Sequence, residues 1–192
     1  MATLTSYKRS IITAVLLALV LSFAFSSLRV DVWVALQPFF QWMETTWFGS
    51  IGKTWGAAFA VIEAVHLLAL AVLGGSVIFA DGRLLGVIFS EVPARTIVDH
   101  SHRLFICALL VMILTGVFMA CAVAMKIYYL PVYWYKMLAL ATGILYVFFI
   151  RRPLLAGNID ELNPLVVKLV AVSSLMIWFT VAATGRWIGF SG

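Results

Sequence analysis

Five apolar runs, at about residues 11–28, 56–80, 94–125, 132–150 and 165–188, constrain this chain more than any other feature. Each meets or approaches the ~20 residues that a hydrocarbon core demands of a spanning helix. A backbone in lipid must satisfy its own hydrogen bonds, which makes these runs helices. They show no alternation of period two, which argues against a membrane barrel. Composition agrees: 64% of the 192 residues are hydrophobic and 11% are charged, whereas a soluble domain is roughly half apolar. No internal repeat or flexible linker interrupts the chain. The expectation is an all-α integral membrane protein: a five-helix transmembrane bundle forming one domain over residues 1–192.

The net charge of +5 does not indicate nucleic acid, because the cations fall between the apolar runs. There they read as topology signals and headgroup contacts. Alternating sides puts Lys8, Arg9, Arg83, Arg95, Arg103, Arg151, Arg152 and Lys168 on one face, and Arg29, Lys53, Lys126, Lys136 and Arg186 on the other. That bias predicts a bacterial inner (cytoplasmic) membrane protein with a cytoplasmic N-terminus and an outer C-terminus, its first run a retained helix. Trp33, Phe39, Phe40, Trp42, Trp47, Phe48 and Trp55 crowd the stretch after run one. Such rings favour the headgroup level, so this stretch is expected to be an outer-side interfacial segment. It either lies on the bilayer, covers a site or docks a partner subunit. Cys107 and Cys121 stand fourteen residues apart in one run, about 21 Å of helix, which is too far for a disulfide. No CxxC motif supports a zinc ribbon or a c-type haem.

The stretch IEAVHLLALAVLGG carries Glu63 and His66 three residues apart, hence on one helix face. His66 lies about 15 Å into its run, near the midplane, where a polar side chain faces a bundle interior or a cofactor. The readings are a haem ligand with a nearby carboxylate, a metal site or a proton relay. The bland alternative is a neutral imidazole bonded to a carbonyl or to Glu63. The remaining histidines, His100 and His102, open run three. A haem with two axial imidazoles needs them at one height on facing helices. If run two ends at Ala80 and run three starts at Pro93, His66 and His102 differ by about 7 Å, which tilt absorbs. A start at Asp99 raises that to about 17 Å and the pairing fails. His100 points about 200° away from His102 and reads as a cap histidine. Gly116 shares the His102 face and would admit a macrocycle or a packed helix. Arg83, Arg95 and Arg103 suit haem propionates, or mark topology. Lys136 either snorkels or attracts an anionic group.

The stretch HLLALAVLGGSVIFADGRLLG, with LTGVF, WYKMLAL and Arg151–Arg152, resembles an uncharacterised bacterial multi-pass membrane family with affinities to the CopD-like and HemJ-like proteins. The likeness covers roughly residues 56–152, and FADGRLLG stands where an LPRL-type motif would follow the glycine. It implies a helical bundle and a haem b held by membrane histidines, with His66 matching the helix-two histidine. The expected function is a b-type cytochrome with its haem between helices two and three. Its expected partners are the lipid bilayer, other membrane or outer-side redox subunits, and quinone. The alternatives are a non-catalytic anchor or assembly subunit, and a metal or proton conduit through Glu63 and His66.

Overall fold

The computed structural model describes residues 28–191. Residues 11–27 of the first expected span therefore lie outside the described residues. The chain divides into two compact units with their boundary between Trp42 and Met43.

The described part of the first unit is most of a helix, α1 (Leu28–Thr45), which holds Pro38. Phe39 stacks its edge on Phe40 at 6.0 Å and lies 5.6 Å from Trp42. The aromatic stretch thus begins as a helix.

The second unit opens with α2 (Trp47–Thr54), capped by Thr46, whose hydroxyl accepts from Gly49 N–H at 3.2 Å. This turn needs glycine at 49, since a Cβ there would sit 2.5 Å from the Glu44 carbonyl oxygen. Glu44 takes a hydrogen bond from Lys53 and another, at 2.8 Å, from the Met125 backbone N–H. Partial burial pushes the Glu44 carboxyl up, but those two donors and the Lys53 charge outweigh it and hold the pKa below the usual carboxylate range.

Four long helices follow: α3 (Gly56–Leu84), α4 (Ala94–Ala122), the segment Pro131–Leu155, and α8 (Pro164–Ile188). They contain 29, 29, 25 and 25 residues and are apolar enough to cross a membrane. A short α5 (Ala124–Tyr128) separates α4 from the third span. That span runs as α6 (Pro131–Leu145), a π turn (Tyr146–Arg151) and α7 (Arg152–Leu155). Prolines 131 and 164 occupy first helical turns, where their missing N–H costs nothing. Asn163 caps α8 by accepting from Leu165 N–H at 2.9 Å. The described residues contain no strand.

The outward faces are those of a membrane protein. Leu68, Leu114, Phe149 and Phe179 are 69%, 71%, 75% and 75% exposed, a surface that water would not tolerate over four helices but lipid would. Inside, α3 packs on α4 and α8, and α8 packs on α6. Leu73, Val77, Phe105, Leu109, Met112, Val147, Trp178 and Val181 form the central core. Phe105 meets Trp178 edge-on at 4.9 Å. Gly143 allows the close approach of α6 to α8, because a Cβ there would meet Trp178 at 3.1 Å.

Two boundaries differ from the sequence reading. The helix expected to end at Ala80 continues to Leu84, because Asp81 finds a buried partner and the turn is made later by Gly86 at φ +77°. The helix expected to reach Met125 stops at Ala122, and the fourth run extends past Ile150 to Leu155 through the π turn.

Candidate functional site

Two polar chambers lie in the bundle, one toward each end. The end holding Gly56, Ala122, Pro131 and Ile188 is the Gly56 end; the other holds Leu84, Ala94, Leu155 and Pro164.

The larger chamber, about 380 Å³, is at the Gly56 end. It is lined by Glu63, His66 and Leu70 of α3, Met112 and Gly116 of α4, Lys126, Tyr133 and Lys136, and Val181, Gly185 and Arg186 of α8. His66 is the deep, buried member, 9% exposed. Glu63 and Arg186 are exposed at the rim.

The His66 ring is held in one tautomer. Its Nδ1 lies 2.8 Å from Thr115 Oγ1, and that hydroxyl lies 2.7 Å from the Val111 carbonyl oxygen. A carbonyl only accepts, so Thr115 spends its proton there and must accept from His66 Nδ1–H. The Nε2 lone pair is then left for another partner. Gly116 lies beside the ring, where an added Cβ would be 3.4 Å from His66 Cε1.

The chamber carries excess positive charge, with Lys126, Lys136 and Arg186 against Glu63. Among the described residues none of these four forms an ion pair with another residue. Gly185 makes room for Lys136, whose Cε would be 3.4 Å from a Cβ at that position. The Arg186 guanidinium lies over the Phe190 ring at 4.5 Å.

The smaller chamber, about 10 Å³, is lined by Ser76, Val77, Ala80, Ser101, His102, Phe105, Val147, Arg151, Ser174 and Trp178. Beside it Arg151 donates to the Asp81 carboxylate at 2.7 Å. Asp81 is fully buried and the Arg151 side chain is 9% exposed. Asp81 Oδ2, Arg151 Nε and Trp178 Nε1 are buried without a hydrogen-bond partner among the described residues.

The sequence-predicted residues therefore part company. His66, Glu63 and Gly116 share the larger chamber, while His102 lines the other. The α4 residue bonded to His66 is Thr115, thirteen positions from His102 and about 20 Å along the helix. The cause is the four extra residues of α3. From His66 to Leu84 is about 27 Å and from Ala94 to His102 about 12 Å, so the heights differ by about 15 Å rather than 7 Å. One iron between His66 and His102 does not fit this arrangement. Gly116 faces His66 rather than His102.

Arg83 donates from Nε to the Val92 carbonyl at 2.7 Å and closes the loop between α3 and α4. Arg95 pairs with Asp99 and ties to the Leu155 and Ala156 carbonyls at the end of α7. Arg103 is exposed and lines neither chamber. His100 bonds the Thr96 carbonyl one turn back. No group of three or more His, Cys, Asp or Glu side chains is placed to hold a metal ion among the described residues. Sequence reasoning passed over Thr115 and the pairing of Asp81 with Arg151, which it read only as a topology charge. The available signal was that both sit at the ends of apolar runs on the same side.

Comparison with curated proteins gave no match, and neither did comparison with solved structures. Residues 39–191 match the Family of unknown function (DUF6644), and the chain belongs to that family.

Proposed function

We propose that this is an integral membrane b-type haem protein that carries electrons in the bacterial inner membrane, with haem held in the larger chamber by His66 Nε2. The observation that carries this reading is a buried imidazole with Nδ1 anchored to Thr115, on a 380 Å³ chamber of positive charge. A ligating histidine characteristically donates its second ring N–H to a fixed acceptor, which sets its tautomer and orientation. The residues present suit the group: His66 Nε2 would ligate the iron, Gly116 would leave space beside the imidazole, and Lys126, Lys136 and Arg186 would balance the charge of two propionates. His66 is the only histidine lining this chamber, so the ligand pair with His102 is set aside in favour of His66 alone. The resemblance to HemJ-like proteins supports the same choice of histidine.

When bound, haem supplies one-electron storage. The chain's own residues orient and shield it. Thr115 fixes the imidazole, Leu70, Met112 and Val181 exclude water, and Glu63 at the rim offers a carboxylate to balance charge. Facing the Gly56 end outward, as the cation bias suggests, puts the chamber mouth on the outer side. There the aromatic stretch would dock redox subunits, and quinone would arrive through the lipid.

An absorption spectrum of the pure protein tests this. A reduced-minus-oxidised difference with Soret and alpha bands is expected; it should vanish in His66→Ala and persist in His102→Ala. Protein expressed with ample haem and lacking any Soret band refutes the reading. A proton conduit through Glu63 and His66 is the second reading, favoured by an exposed Glu63 at the chamber rim three residues from the buried His66. Proton flux into protein-loaded vesicles, without a chromophore, would select it.

A further inference from the structure

The smaller chamber has no part in the haem reading, yet it gathers the most costly groups in the fold. It lies among Ser76, Ser101, His102, Arg151, Ser174 and Trp178, six side chains with polar atoms, beside the apolar core that Val77, Phe105 and Val147 help to form. Its volume of about 10 Å³ matches one water-sized sphere. A phosphate or a carboxylate group does not fit such a space. Two buried donors beside it, Arg151 Nε–H and Trp178 Nε1–H, have no partner among the described residues, and neither does the acceptor Asp81 Oδ2. Buried polar groups in proteins nearly always find a partner, in protein or in ordered water.

We propose that this chamber binds one water molecule, held by Arg151 and Trp178, and that the water joins His102 to the Ser174 and Asp81 side chains as a proton-exchange site. The chemistry is complementary. A water oxygen has two lone pairs for the two N–H donors, and its two protons reach the hydroxyl and imidazole acceptors of the lining. Ser174 is 1% exposed and its hydroxyl lies against the Asp81 carboxyl. His102 is half-buried, so it touches both the chamber and the exterior at the Leu84 end.

A proton can pass along this line with every bond balanced. Neutral His102 takes a proton from the water. The water takes one from Ser174 Oγ, and Ser174 takes the one held by a protonated Asp81 carboxyl. One bond to hydrogen forms for each that breaks, and no electrons are exchanged. The groups that line the chamber with His102 are Ser76, Val77 and Ala80 of α3, Phe105 stacked on its ring, Val147 and Arg151 of the π turn, and Ser174 and Trp178 of α8. Asp99 and Arg152 add charge from outside. Leu73, Leu109 and Met112 belong to the core between the chambers, which share no lining residue. Exchange is therefore confined to the Leu84 end.

The test uses the full chain in detergent micelles with tryptophan labelled by nitrogen-15, which displays seven indole N–H groups. Trp178→Phe identifies the relevant one. Should that variant fail to fold, single Trp→Phe changes at the six other tryptophans assign it by elimination. The expected result is a cross-relaxation peak between the Trp178 indole proton and water. His102→Phe should slow deuterium exchange of that proton by about tenfold or more, and His102→Gln, which bonds the water but takes up no proton, should stay slow. A folded protein with no water peak at this indole overturns the bound water. Exchange unchanged in His102→Phe overturns the route through His102.

Discussion

Removing Asp81 alone should be among the most damaging single changes available in this bundle. Asp81 is fully buried and its partner Arg151 is 2.7 Å away with a side chain 9% exposed. Two unit charges about 4 Å apart attract by about 4 kcal/mol at an effective dielectric of 20. Asp81→Ala deletes that attraction and leaves a guanidinium in the bundle interior with its Nε already unpaired. The loss is expected at about 3–5 kcal/mol, the range for stranding one member of a buried pair. That lowers the folded-to-unfolded ratio by roughly a hundredfold to a few thousandfold. The paired replacement Asp81→Leu with Arg151→Met should recover most of the loss, because two apolar side chains pay no desolvation penalty. The assay is reversible unfolding in mixed micelles with increasing denaturing detergent, followed by tryptophan fluorescence or helical circular dichroism. The reasoning is refuted if Asp81→Ala costs less than about 1 kcal/mol, as an exposed pair would. A double variant as unstable as the sum of the single changes refutes it equally.

Three other outcomes follow from described contacts. Thr115→Val should cost about 1–3 kcal/mol in the same assay, because it leaves the buried His66 Nδ1–H without its acceptor; in haem-loaded protein it should also shift the absorption bands. Gly143→Ala should cost about 1–3 kcal/mol, since its Cβ would press on Trp178 and Ile177 at 3.1 Å; unaltered stability would show that α8 can yield there. Glu44 has a carboxyl pKa lowered by Lys53 and the Met125 N–H in spite of partial burial. Its contribution to stability is therefore full above the unfolded carboxyl's value and is lost as pH falls through the lower folded one. An acid titration of unfolding should show that loss in the native chain and not in Glu44→Gln.

Four of the spans were legible in sequence because lipid leaves the backbone no alternative to helix, and twenty apolar residues are hard to mistake. Helix ends were less so. Asp81, Gly82 and Arg83 look like the start of a loop, and only the distant Arg151, seventy residues on, makes it favourable to keep Asp81 helical. That single long-range pairing moved the end of α3 by a turn and separated His66 from His102. Glu63 and His66 were legible as a site because ionisable groups stand out against an apolar run. Lys126 and Arg186 were visible only as charges near run ends and Lys136 only as a lone cation for an anionic group, since their convergence depends on how α6 and α8 pack. Thr115 was silent because a threonine in a membrane helix ordinarily bonds its own preceding turn, as this one also does.

The wide turn at Tyr146–Arg151 has a consequence for how the inner ion pair came about. A π turn accommodates one more residue than the α-helix around it, and such insertions recur at functional positions. Winding the same residues as an unbroken α-helix would rotate Arg151 by about 100°. The guanidinium now meeting Asp81 would turn away, and neutral Ile150 would take its place. In that sense the pair is owed less to the choice of an arginine than to a single surplus position in the helix that carries it.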